Sequence, residues 1–180
     1  DSIHVLEVLG EIFMAESRYS EAIDTYQRLQ SFYPENLELN LHLAESYWQL
    51  QELSKAKDVY EKILLFDDEN YNVMLRIGEI YNALGDYSKA GSIYNEVVNC
   101  TTPTMAVYYQ LALTYGNRGK YMPAVLAFHE ALKLAPNDIQ IKYQLGVAYK
   151  ELGVYDLAAH YFEEYIFQHS EDVIAFFFLG

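Results

Sequence analysis

Cys100 is the only cysteine among 180 residues. A single thiol can form no internal disulfide and no thiolate metal cluster, and it favours a reducing, cytoplasmic setting. Proline is scarce, at four residues, and Trp48 is the sole tryptophan. Basic side chains number 12 against 26 acidic ones, for a net charge of −14. Nucleic acids and anionic membrane surfaces are held by clustered Lys and Arg, so both are disfavoured as partners. The longest apolar run, Val173–Leu179, is far too short to span a bilayer, so direct membrane insertion is not expected. No secretory leader is visible. Phosphate loops, dinucleotide fingerprints, HExxH and CxxC motifs are all missing, and the five histidines are too scattered to form a metal site. No catalytic, cofactor or metal residue is therefore assigned, and the expectation is a protein that is not an enzyme.

What the chain has instead is period. Gly10, Ala44, Gly78, Ala112 and Gly146 recur every 34 residues, and Gly180 holds the same place in a truncated sixth copy. An aromatic follows each three places on: Phe13, Tyr47, Tyr81, Tyr115 and Tyr149. Nine places further stands Ala22, Ala56, Ala90, Ala124 or Ala158. Self-similarity at this spacing marks stacked supersecondary units, none able to bury its apolar face alone. Five copies without insertion predict one array over residues 1–180, with copies at 3–36, 37–70, 71–104, 105–138 and 139–172 and a partial sixth at 173–180. Hydrophobic content of 52% is enough for a continuous core.

Each copy reads as helix, turn, helix. In residues 105–138, Tyr108, Leu111, Ala112 and Tyr115 fall at i, i+3, i+4 and i+7, one apolar stripe. Gly119 supplies the left-handed residue that ends this first helix, as do Gly85 and Gly153, while Ser17 and Gln51 take that place in the first two copies. Ser20, Ser54, Ser88 and Asp156 stand where N-caps of the second helix are expected. Pro34 and Pro136 end second helices, with Asp68, Thr102 and Ser170 in their place elsewhere. Gly91 lies inside a second helix, where it costs about 1 kcal/mol relative to Ala. Close packing explains it better than a flexible point does.

This pattern closely resembles the tetratricopeptide repeat family, over nearly the whole chain. The resemblance implies an all-α, α-α superhelix: a right-handed solenoid of antiparallel helix pairs, with first helices lining a concave groove. Relatives mostly bind peptides or partner proteins there and are rarely enzymes.

On the first helix, positions 4, 7, 8 and 11 share one azimuth, and positions 2, 5, 9 and 12 fall about 140° away. That second face lines the groove in relatives. Here it presents Glu7, Glu11, Glu45 and Glu79, with Met14 and Trp48, in the N-terminal half. In the C-terminal half it presents Tyr109, Leu113, Tyr143, Val147, Ile174 and Phe177. His42, Arg76, Gln110 and Gln144 stand on its shoulder and can hydrogen-bond a peptide backbone. The carboxylates form a ladder suited to basic residues, and the aromatics are anchors of the kind that carry binding energy. The Lys and Asn with which some relatives clamp a C-terminal carboxylate are absent. The expected partner is a protein or peptide with basic and apolar residues. The alternative is a scaffold that self-associates through its apolar C-terminal end, where Phe176 and Leu179 lack a second helix to pack on.

Overall fold

The left-handed residue expected between paired helices is present in every copy. Ser17 and Gln51 have φ of 59° and 60°, and Gly85, Gly119 and Gly153 have φ of 78°, 68° and 76°. After each such residue the chain reverses within three residues. The next backbone N–H returns to the carbonyl of the repeated aromatic: Arg18 to Phe13 at 2.8 Å, and Glu52 to Tyr47, Lys120 to Tyr115 and Val154 to Tyr149 at 2.9 Å. That bond satisfies a carbonyl that the helix end leaves open.

The computed structural model describes the backbone of residues 2–179 and the side chains of residues 3–168. It has ten helices and, among the described residues, no strand. They are α1 (Ser2–Ala15), α2 (Tyr19–Gln30), α3 (Leu37–Gln49), α4 (Leu53–Leu64) and α5 (Tyr71–Ala83), then α6 (Tyr87–Cys100), α7 (Met105–Asn117), α8 (Tyr121–Leu134), α9 (Ile139–Glu151) and α10 (Tyr155–Leu179). Two compact units are distinguished, residues 1–84 and 85–180. In the first, α1 packs on α2, α2 on α3, α3 on α4 and α4 on α5. In the second the same succession runs from α6 to α10.

The interior repeats with the sequence. All five alanines of the second helices are buried, none more than 4% exposed. Around them in the first unit lie Leu43, Ala44, Tyr60 and Ile63, and in the second Leu111, Ala112, Phe128, Ala131 and Leu145. Burying each Leu or Ile is worth about 1.5–3 kcal/mol. Small residues opposite the rings are required by distance. A Cβ on Gly10 would lie 2.7 Å from the Tyr26 ring, and one on Gly146 would lie 2.8 Å from that of Phe162.

Three local expectations are corrected. The first concerns the caps of the second helices. Ser20, Ser54 and Ser88 are already inside their helices, and the caps are Arg18, Glu52 and Asp86. The helix starts two residues after the left-handed position, so the capping role falls on the residue between them. Of these three, only Asp86 makes a side-chain cap, accepting from Lys89 N–H at 3.2 Å. The true side-chain caps open the first helices, where Asn36, Asn70 and Asp138 accept from the N–H groups of Leu39, Val73 and Ile141.

The second correction concerns the last helix. α10 runs unbroken through Ser170, where an end was expected. Proline and glycine are absent from 155–179, so no residue there forces a stop. Third, the interior stripe is wider than one azimuth. From α3 onward positions 3 and 10 of the first helices are buried as well: Leu39 and Ser46, Val73 and Ile80, Val107 and Thr114, Ile141 and Ala148, whereas Val5 and Ile12 of α1 are exposed. The hydroxyls there are satisfied within their own helix, Ser46 donating to His42 O and Thr114 to Gln110 O, both at 2.7 Å.

Candidate functional site

From α3 onward positions 3, 7, 8 and 10 are turned inward, and in every first helix with described side chains the 2, 5, 6 and 9 positions are left toward solvent or half covered. Leu111 and Leu145 are 4% and 0% exposed, whereas Tyr143 is 39% exposed and Tyr109 is half-buried. Phe177, with Ile174, Phe176 and Leu179, lies outside the described side chains.

In the first unit a cleft of about 320 Å³ opens between α1 and the α2–α3 pair. It brings together Glu7, Glu11 and His42 with His4, Tyr26 and Glu38. His42 stacks on Tyr26, centroids 5.4 Å apart and planes 13° from parallel. Tyr26 is 3% exposed, and its hydroxyl oxygen has no hydrogen-bond partner. Burial, together with the charges of Glu11 and Glu38, pushes this phenol up to about 12.

The carboxylate ladder continues only in altered form. Glu45 and Glu79 share one cation: Arg76 lies 3.8 Å from Glu45 and 3.0 Å from Glu79. Its guanidinium also sits 6.0 Å from the centre of the Trp48 ring. Tyr60 Oη donates to Glu45 at 3.3 Å. Arg76, expected to meet a ligand, is thus engaged by its own chain, and the unpaired negative character gathers at the Glu7–Glu11 end. Equal spacing along the chain showed the ladder but gave no sign that position 6 would neutralise position 9.

In the second unit the tyrosines rest on other rings, Tyr109 on buried Phe128 and Tyr143 on half-buried Phe162 and Tyr165. Tyr109 meets Phe128 edge-on at 5.8 Å, and Tyr143 meets Phe162 at 5.7 Å and Tyr165 at 5.1 Å. Each is thereby held in place with part of its ring uncovered. Leu113, Gln144 and Val147 line a second cleft of about 340 Å³ with Gly116 and Glu151. Gln110 is half-buried beside them on α7.

A further set of contacts escaped sequence reasoning. The residue at position 25 of a second helix meets the tyrosine hydroxyl at position 11 of the next copy. Gln27 donates to Tyr47 at 2.7 Å, and Tyr81 donates to Glu61 at 3.4 Å. Asn95 donates to Tyr115 at 2.9 Å, and His129 meets Tyr149 at 2.9 Å. His129 is half-buried among Tyr149 and Tyr161. A constant separation of 20 residues was the signal available. Side chains as unlike as Gln, Glu, Asn and His concealed it.

The class follows from this geometry: an all-α repeat protein whose copies share one interior and differ on one outward face. Three models described as tetratricopeptide repeat match residues 13–69, 72–99 and 109–173. The chain belongs to the tetratricopeptide repeat family.

Solved structures share the fold. A MamA structure (41-end) from Desulfovibrio magneticus RS-1 is 18% identical with a TM-score of 0.88, covering 95% of this chain and 97% of that one. The RS-1 ArsTM double mutant of MamA, also 18% identical, gives 0.89, with coverage of 96% and 98%. A further MamA crystal structure, 20% identical, gives 0.86, with coverage of 95% and 93%. At these identities the likeness is one of fold. No curated protein matches the sequence. Among the described residues no helix is long and apolar enough to cross a membrane, and no group of three or more His, Cys, Asp or Glu is placed to hold a metal ion.

Proposed function

We propose that this chain is a protein-interaction module, a single array over residues 1–180 whose first-helix face docks a segment of a partner protein. The observation that carries the reading is Tyr143, 39% exposed yet fixed against Phe162 and Tyr165. A ring held between two neighbouring rings loses little freedom on binding, so the area it covers is retained as affinity. Tyr109 repeats the arrangement one copy earlier over Phe128. Apolar side chains of the partner dock on Tyr109, Leu113, Tyr143 and Val147, and Gln110 and Gln144 hydrogen-bond its backbone. Basic residues of the partner face Glu7 and Glu11, a preference that the net charge of −14 supports through long-range attraction.

The test is selection of peptides from a displayed random library on the immobilised chain. Enriched peptides should combine Lys or Arg with aliphatic or aromatic residues. They should bind a Tyr109→Ala/Tyr143→Ala variant at least about tenfold more weakly, as expected when central aromatic anchors are removed. Charge reversal at Glu7 and Glu11 should weaken them more at low salt than at high salt. Peptides that hold the double alanine variant as well as the parent chain would overturn the reading.

A further inference from the structure

The first two inter-repeat interfaces of residues 1–84 are built from the same positions but finished differently. At the second, position 24 is Tyr60, the flanking position-9 residues are Glu45 and Glu79, and position 6 is Arg76. The guanidinium sits between the two carboxylates, and the Tyr60 hydroxyl donates to Glu45. Every polar group in that set has a partner.

At the first interface the corresponding residues are Tyr26, Glu11, Glu45 and His42. His42 lies flat on Tyr26, and its nearest carboxylate is Glu38 at 3.9 Å. No cation of the described chain pairs with Glu11. The Tyr26 hydroxyl is buried and unpartnered, although the ring lines the same cleft as Glu7, Glu11 and Glu38. Glu7 has only exposed His4, at 3.4 Å. A buried polar group without a partner is costly and calls for an explanation. The acidic cluster and the orphaned phenol are independent observations, and both ask for a cationic hydrogen-bond donor.

We propose that the cleft between α1 and the α2–α3 pair binds the guanidinium of an arginine side chain from the partner protein, in the place that Arg76 occupies at the next interface. Its N–H groups donate to Glu11 and to the Tyr26 hydroxyl oxygen, and Glu38 and Glu7 lie at the rim. Arginine suits the site better than lysine does. Its planar fork presents several donors at once and can stack on flat rings; Arg76 lies over the Trp48 ring, 6.0 Å from its centre, and here His42 and Tyr26 offer such a surface. This deepens the docking reading above and rests on it, but it uses residues of the first unit alone.

N-acetyl-arginine amide is the probe, followed by the His42 and Tyr26 ring resonances in NMR titrations of the whole chain. Saturable shifts confined to these rings are expected. The uncharged isostere N-acetyl-citrulline amide, and the Glu11→Gln variant with the arginine probe, should each bind at least about tenfold more weakly, in keeping with loss of a charged hydrogen bond. N-acetyl-lysine amide and spermidine should bind more weakly than the arginine probe. His42→Arg should abolish the shift by supplying the guanidinium from within, and Arg76→Ala should create a second responsive ring at Tyr60. The proposal is overturned if citrulline or spermidine matches the arginine probe, if Glu11→Gln leaves its affinity unchanged, or if neither ring responds. If His42→Arg or Arg76→Ala does not fold, the citrulline and Glu11→Gln arms decide alone. Loss of this site with peptide binding still sensitive to Tyr109→Ala and Tyr143→Ala would reject the arginine cleft and leave the docking surface standing.

Discussion

The first-helix faces of the two units are written on the same repeat positions in different chemistry. In residues 1–84, positions 5, 6 and 9 read Glu7, Val8 and Glu11, then Leu41, His42 and Glu45, then Leu75, Arg76 and Glu79. In residues 105–147 they read Tyr109, Gln110 and Leu113, then Tyr143, Gln144 and Val147. Beneath both faces the interior is built alike, with a buried Leu or Ile at position 7 from α3 onward, a Gly or Ala at position 8 and the invariant Ala. Folding fixes one set of positions in every copy and leaves the other set free to vary. The proposed docking surface lies on the free set, where a substitution would alter recognition without disturbing the stack.

That comparison can be broken where its effects are largest. Leu43→Ala in the first unit and Leu145→Ala in the second remove equivalent, fully buried side chains. Each should cost about 2–5 kcal/mol in denaturant unfolding. A near-zero cost at either site would show that the two interiors are not equivalent. Next in size are the close approaches. Gly10→Ala and Gly146→Ala should destabilise by about 1–3 kcal/mol through overpacking, despite the better helix propensity of alanine. Gly116→Ala, which meets nothing within 4 Å, should instead stabilise by about 1 kcal/mol. Gly91 lies between these cases. A Cβ there would come within 3.3 Å of the Arg118 guanidinium and 3.5 Å of Thr114, the close-packing explanation rather than a hinge.

Much of this fold was legible because period, small residues and aromatics are all local in the sequence. What was not legible depends on a neighbour. Position 10 holds Ser46, Ile80, Thr114 and Ala148, a set with no common polarity, so no stripe was visible, yet all four are buried. Asn40 stood at an expected core position and is indeed buried. Only the structure supplies its reasons: its amide donates to Pro34 O at 2.9 Å and Asn36 O at 2.8 Å, and its oxygen accepts from Gln30 at 2.6 Å. The site residues were readable as a face, but not as pairs. Nothing along the chain told Arg76, bound to two carboxylates, from His42, bound to a ring.

Smaller effects sharpen the comparison. Tyr47→Phe and Tyr115→Phe remove the 20-residue hydrogen bonds to Gln27 and Asn95, one in each unit. Both should lower stability by about 0.5–1.5 kcal/mol, read as a shift in the denaturation midpoint. The fourth such bond adds a pH dependence that the first lacks. Burial, reinforced by Lys133, holds His129 below its ordinary value of 6.5. The unfolded chain then binds the proton more readily than the folded one. Stability from this group is complete above about pH 6.5 and falls as pH drops toward the lowered folded value. His129→Gln, which copies Gln27, should keep the hydrogen bond to Tyr149 and flatten that part of the stability profile between pH 7 and 5. A profile unchanged by the substitution would place the acid sensitivity elsewhere.

Recognition by the outward first-helix face is the central proposal. Affinity of a library-selected peptide is therefore compared, at one salt concentration, between Tyr109→Ala/Tyr143→Ala and Met122→Ala/Leu126→Ala, the latter an exposed apolar pair on α8. Loss of about tenfold or more in the tyrosine variant, with the α8 variant within about twofold of the parent, is the predicted result. Full binding by the tyrosine variant with loss in the α8 variant would contradict it.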